Sequence, residues 1–217
     1  ILGEMCDFGR GVKQDYQEAI EWYRLAVKKN DASAQSSLGL MYQYGHEIKQ
    51  NYDEALRLFH LSALQKDSYG QSNLGHMYRK GIGVEQNHKE AIKWYRLSAE
   101  QKNPTGQYNL GKMYAMGQGV EKDYHEAINL YTFAAEQRNS EAQEALGGLY
   151  ASGEGVPEDH LQARMWYELC ISNGLHNSLK SIKTLENRMT SSEIEKAKEL
   201  ARNWRPSKDR MQSVRQR

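Results

Sequence analysis

The residues able to carry chemistry are few and dispersed. Seven histidines (His46, His60, His76, His88, His125, His160 and His176) are scattered along 217 residues. The two cysteines, Cys6 and Cys170, lie in no Cys-x-x-Cys pair and beside no histidine cluster. A structural zinc site draws about four such ligands from closely spaced positions, so neither a metal site nor a disulfide framework is expected. His125-Glu126 is not followed by a second histidine four residues on, as a zinc-protease helix requires. No Ser-x-x-Lys and no Gly-x-Ser-x-Gly is present to supply an activated serine. Gly-x-Gly-Val occurs in four places, as in Gly81-Ile82-Gly83-Val84. Phosphate loops follow a strand and add a third glycine or Gly-Lys-Ser/Thr, and neither is found here. These glycines therefore read as turn formers. No catalytic residue and no cofactor is assigned.

Composition narrows the classes further. Lys+Arg number 29 against 28 Asp+Glu, a formal charge of +1. That balance speaks against a nucleic-acid binder working by bulk charge. Apolar runs are only a few residues long, too short for a membrane span, and the first residues do not form a signal peptide. With 39% hydrophobic residues, 18 Gly and 3 Pro, the chain reads as ordered and globular. Compartment is left open.

The elements that must position any site come from an internal repeat. Leu-Gly recurs at Leu2-Gly3, Leu38-Gly39, Leu74-Gly75, Leu110-Gly111 and Leu146-Gly147, a constant step of 36 residues. In the same register stand Tyr42, Tyr78, Tyr114 and Tyr150, with Cys6 in the first copy. Other columns are Gly9, Gly45, Gly81, Gly117 and Gly153; Ala19, Ala55, Ala91, Ala127 and Ala163; and Tyr23, Phe59, Tyr95, Tyr131 and Tyr167. Trp22, Trp94 and Trp166 precede three of those aromatics and are expected to seal one helix pair against the next.

Each unit reads as two helices. Ala34, Leu38, Met41 and Tyr42 recur at steps of three and four residues, one face of a helix over Ala32–Tyr44 closed by Gly45. Asp15, Asn51, Asn87, Asp123 and Asp159 are expected to cap the second helices. Glu18, Glu54, Glu90 and Glu126 follow at the capping-box spacing. A mid-helix glycine costs about 1 kcal/mol relative to alanine, so five of them imply a contact too close for a Cβ. One such unit has too little core to stand alone and must stack on its neighbours.

These columns resemble the Sel1-like repeats, relatives of the tetratricopeptide repeats. The resemblance rests on Leu110-Gly111-Lys112-Met113-Tyr114, Gly117-Gln118-Gly119-Val120, Asp123, Ala127 and Tyr131-Thr132-Phe133-Ala134-Ala135, with equivalents in four other copies. It implies an all-α fold: a right-handed α-solenoid (α/α superhelix) of five 36-residue helix-turn-helix repeats plus a C-terminal capping helix. The solenoid is expected over 1–181, with repeats starting at 2, 38, 74, 110 and 146. The capping helix is expected over 182–205, opened by Thr190-Ser191-Ser192-Glu193, and a basic, flexible tail over 206–217. The second copy departs from the pattern, because Gly45-His46-Glu47-Ile48 lacks the second loop glycine. Ile1 falls within a first helix, so an upstream continuation is expected.

By the same resemblance, the first helix of each pair lines a concave face. Its outward positions read Glu4, Asp7 and Phe8; then Ser33, Ser36, Leu40, Gln43 and Tyr44; then Tyr69, Ser72, His76, Arg79 and Lys80. Thr105, Tyr108, Lys112, Ala115 and Met116 follow, then Glu141, Glu144, Gly148, Ala151 and Ser152. The ends are acidic and the middle is basic. A partner-binding site is therefore expected at Tyr44, Tyr69, His76, Arg79, Lys80, Tyr108 and Lys112. The expected function is that of a non-catalytic adaptor or scaffold binding a protein or peptide with an acidic segment. The resemblance implies bacterial signalling, host-interaction or toxin-neutralising roles. Two alternatives are a hydrolase of cell-wall fragments, marked by a carboxyl of raised pKa in a concave pocket, and a structural spacer.

Overall fold

The computed structural model describes residues 2–9 and 11–206; the expected tail, from 207 onward, lies outside the described residues. Among those residues every regular element is helical. The chain divides into two compact units, one ending at Gln101 and the other beginning at Lys102.

The first unit holds α1 (Leu2–Phe8), α2 (Tyr16–Lys28), α3 (Ala32–Tyr44), α4 (Tyr52–Leu64), α5 (Ser68–Lys80) and α6 (His88–Glu100). The second holds α7 (Pro104–Met116), α8 (Tyr124–Glu136), α9 (Ser140–Ser152) and α10 (His160–Ser172). It continues through a 3-10 turn (His176–Ser178) into α11 (Leu179–Glu186) and α12 (Ser191–Asn203). Over 182–205, where a capping helix is expected, the described residues hold the end of α11 and the whole of α12. Each unit is a stack of helical hairpins, the all-α solenoid class.

Within each hairpin the contact that needs a glycine is made by an aromatic ring. A Cβ on Gly39 would stand 2.6 Å from the Phe59 ring, and one on Gly75 2.8 Å from that of Tyr95. In the second unit the distances are 2.9 Å for Gly111 and Tyr131 and 2.5 Å for Gly147 and Tyr167. Real Cβ atoms do not come that close. The alanine of each second helix completes the fit: Ala19, Ala55, Ala91, Ala127 and Ala163 are wholly buried.

The ends of the helices obey the capping expectation in half. Asp15, Asn51, Asn87, Asp123 and Asp159 each accept a backbone N–H from their own second helix. The reciprocal bond from the glutamates is not needed. The cap N–H already donates to the last turn of the preceding helix, as in Asn51 N to Tyr42 O at 2.9 Å and Asn87 N to Tyr78 O at 2.9 Å. Released from capping, Glu54 pairs with Arg57 at 2.6 Å and Glu18 accepts from Trp22 Nε1 at 3.2 Å. Among the described residues the full box forms at Thr190 and Glu193, at the head of α12.

A second recurring bond closes the other end of the hairpins. Buried glutamines in the first helices accept from the residue that ends the paired second helix. Gln65 Nε2 donates to Gln35 Oε1 at 2.8 Å and Gln101 to Gln71 at 2.7 Å. Gln137 donates to Gln107 at 2.8 Å and Asn173 to Gln143 at 2.9 Å. One residue past the C-cap of each second helix the chain turns at positive φ, without glycine at Asn30, Lys66, Lys102 and Arg138 and with Gly174 after Asn173.

Two neighbouring glycines of α9 separate packing from helix propensity. A Cβ on Gly148 would meet only the Tyr167 hydroxyl, at 3.8 Å. Gly148→Ala is expected to stabilise the protein by about 1 kcal/mol through propensity. Gly147→Ala is expected to destabilise it by about 1–3 kcal/mol through overpacking against Tyr167. Thermal melts of the two variants should move in opposite directions, and a shared direction would contradict the ring contact.

Candidate functional site

The outward positions of the first helices differ from expectation in a regular way. Ser36, Gln43 and Ser72 are buried, at 4%, 5% and 2% exposure. Ser36 accepts from Asn73 Nδ2 of the next first helix at 3.2 Å. First helices in the same unit thus pack side by side and close over these positions. Left outward in the first unit are Glu4, Phe8, Tyr44, Tyr69 and Lys80, all exposed, with Asp7, Leu40, His76 and Arg79 half-buried. In the second unit Tyr108 and Lys112 are half-buried and Met116 is exposed.

Five of the predicted site residues therefore belong to the first unit: Tyr44 on α3, and Tyr69, His76, Arg79 and Lys80 on α5. Tyr44 and Tyr69 are 58% and 59% exposed, large aromatic surface with little to cover it. Arg79 is held from below: its Nε donates to the Tyr95 hydroxyl at 3.4 Å. Burial pushes that hydroxyl up to about 12, so it remains a neutral acceptor. Tyr108 and Lys112 form a separate pair on α7. The Lys112 ammonium stands 5.9 Å from the centre of the Tyr108 ring, which also leans on Tyr131 at 5.7 Å.

The core aromatics thus reach the outward face through their hydroxyls. Tyr95 accepts from Arg79; the equivalent Tyr23 donates to Asp7 Oδ2 at 3.0 Å. Desolvation holds the Asp7 carboxyl above the usual carboxylate range and pushes the Tyr23 hydroxyl upward as well. Asp7 is the raised carboxyl that a hydrolase reading would look for. It does not line the open groove of about 630 Å³ between α1, α2 and α3, whose walls include Leu2, Trp22, Leu25, Ala26 and Ser33. Trp22 on that groove is 38% exposed, unlike Trp94 and Trp166, which are buried as expected at 8% and 6%.

Other polar groups serve the stacking. His60 shares a hydrogen bond with the Tyr78 hydroxyl at 3.4 Å and meets Trp94 edge-on at 6.1 Å. In the second unit Arg164 is 4% exposed and clamped by Glu168 at 2.5 Å and Glu186 at 2.9 Å, tying α11 to α10. Cys6 and Cys170 are both buried free thiols, and burial pushes the Cys170 thiol up. Cys170 occupies the small-residue column of Ala26, Ser62, Ser98 and Ala134, which fits packing rather than reactivity.

Stacked helical hairpins with a 36-residue period and an outward first-helix face define a tetratricopeptide-like repeat protein. The Sel1 repeat model matches residues 1–31, 32–67, 68–103, 104–139 and 140–175, and the chain belongs to the Sel1 repeat family. A Sel1 repeat protein from Oxalobacter formigenes is 33% identical, over 92% of this chain and 84% of that one, with a TM-score of 0.75. A protective antigen of uropathogenic Escherichia coli with the same fold is 27% identical over 99% of this chain, at a TM-score of 0.58. This chain spans 54% of that antigen. An immunity protein from Pseudomonas aeruginosa shares the fold at 19% identity, over 91% of this chain and 71% of that one, with a TM-score of 0.59. No curated protein matches the chain. Sel1 repeat proteins are generally protein-interaction modules, and the fold is typically a non-catalytic scaffold. No helix among the described residues is long and apolar enough to cross a membrane.

The environment of His60 sets a pH dependence. Burial lowers its proton affinity, with Glu90 opposing. The unfolded chain then binds more protons than the folded one, so stability is complete above the ordinary imidazole value of about 6.5 and is lost as pH falls through the folded value. The melting temperature is expected to fall below about pH 6.5, and His60→Gln should flatten that fall. An unchanged profile in the variant would contradict the assignment.

Proposed function

We propose that the chain is a non-catalytic adaptor that binds a protein or peptide on the outward face of its first helices. In the first unit the contact is placed on Tyr44, Tyr69, His76, Arg79 and Lys80. Tyr108 and Lys112 offer the same chemistry on the first helix of the second unit. The observation that carries this reading is on α5, where Arg79 is braced by Tyr95 beside Lys80 in the last turn and Tyr69 stands exposed in the first turn. A braced guanidinium loses less freedom on binding than a loose one. Tyr and Arg are the residue types that anchor interfaces most often. Two adjacent cations on one turn gain nothing structural from each other, and complementary charge fixes the register of a partner. The partner segment is accordingly acidic. The bacterial Sel1 protein, the antigen and the immunity protein favour a bacterial recognition role, toxin neutralisation among them.

The test is a paired charge reversal, Arg79→Glu with Lys80→Glu, measured by calorimetry against an acidic hexapeptide, Ac-EEDEED-NH2, and against any partner recovered by affinity capture. Binding is expected to weaken about tenfold or more. The wild-type affinity should also fall with added salt, since exposed charges are screened over about 8–10 Å. Affinity within about twofold of wild type in a folded variant would move the contact elsewhere.

A further inference from the structure

Three aromatic rings are stacked on the surface of the first unit. His46 lies between two tyrosines: its ring centre is 5.4 Å from that of Tyr16, tilted by 32°, and 5.6 Å from that of Tyr44, nearly parallel at 21°. Tyr44 and His46 are exposed and Tyr16 is half-buried. The repeat does not require this arrangement. At the position of His46 later copies carry Ile82, Gln118 and Glu154, and at that of Tyr44 they carry Lys80, Met116 and Ser152.

The backbone beside the stack is held against its preference. Glu47 sits at φ 51, where the other loops place Gly11, Gly83, Gly119 and Gly155 at φ 64 to 78. The loop that lacks its second glycine thus keeps the common shape. That conformation is disfavoured for a residue with a Cβ. Gln17 steadies it, donating from Nε2 to the Glu47 carbonyl at 2.8 Å and, more weakly, to its carboxylate at 3.4 Å. Four copies solve this turn with glycine, so the carboxylate at the second has a reason outside the turn; strain of this kind collects at functional sites.

An exposed aromatic stack next to the Glu47 carboxylate is suited to a cation. A guanidinium fits best, because it is planar, weakly hydrated, stacks on rings and pairs with carboxylates through a fork of N–H groups. We infer that the Tyr16–His46–Tyr44 stack, with Glu47, is a docking site for an arginine side chain of a partner polypeptide. The inference deepens the adaptor reading and rests on it: the same partner would place an acidic stretch on Arg79 and Lys80 and an arginine on the stack.

The probe is N-acetyl-arginine amide, with its uncharged isostere N-acetyl-citrulline amide as control, added to the full chain and followed by NMR. The arginine compound should shift the His46 and Tyr44 ring signals and the Glu47 amide saturably, and bind about threefold to fivefold more tightly than the citrulline compound. Tyr44→Ala should abolish the shifts. Tyr44→Leu, which keeps more apolar volume, should do the same and guards against a folding artefact. Glu47→Gly should raise the melting temperature by relieving the turn, yet weaken arginine binding by a similar fold. Equal responses to arginine and citrulline, or shifts centred away from His46, would overturn the site. Failure of the acidic hexapeptide to distinguish the Arg79→Glu, Lys80→Glu chain from wild type, with arginine still binding at His46, would overturn the acidic-partner reading and leave this site standing.

Discussion

The aromatic ring seated on a mid-helix glycine is the contact on which the rest of the structure depends. In each hairpin the ring of Tyr23, Phe59, Tyr95, Tyr131 or Tyr167 occupies the space that a Cβ on the facing glycine would need. The glycine gives up about 1 kcal/mol of helix propensity. A buried aromatic ring returns more than that through area and dispersion. The exchange also fixes geometry. With the ring as spacer, the two helices have one depth of approach, and the fully buried alanine column sets their register.

Other recurring features follow from that depth. The last turn of each first helix comes within reach of the cap of the second, so the cap N–H finds a carbonyl there and its glutamate is left for other work. The start of the first helix meets the end of the second, and the glutamine pairs close that end. Because these bonds lie inside the hairpin, the outward side chains are released from structural duty. Charge and aromatic content there vary from copy to copy while the frame does not. This is the division of labour that lets one repeat serve many partners.

Much of this frame could be read from spacing alone. Leu-Gly at 36-residue steps, the cap residues and the closing glycines led directly to helices such as Ala32–Tyr44. The need for close approach at the glycines was also evident, though not that a ring supplies it, since facing partners cannot be deduced from periodicity. The glutamine pairs were visible as columns but silent, because a polar residue at a helix start reads as exposed. Ser36, Gln43 and Ser72 are buried for a reason that repeat spacing does not carry: neighbouring first helices touch there, and that contact lies between repeats rather than within one. The loop Gly45-His46-Glu47-Ile48 departs from the pattern in sequence, but that Glu47 keeps the turn and His46 lies against two tyrosines depends on contacts across the fold.

The outward face inherits its order from the core beneath it. Tyr95 braces Arg79, and Tyr23 holds Asp7, each through the hydroxyl of the ring that rests on the glycine. The proposed recognition face and the stability of the fold therefore rest on one set of aromatic residues. The direct test of that dependence is a double-mutant cycle of stability on Gly111 and Tyr131, combining Gly111→Ala with Tyr131→Leu. If the ring is what excludes the Cβ, Gly111→Ala should be destabilising in the wild-type background and neutral or stabilising once the ring is gone. A coupling of about 1–2 kcal/mol would express that change. Additive costs, with Gly111→Ala equally harmful in both backgrounds, would contradict the account.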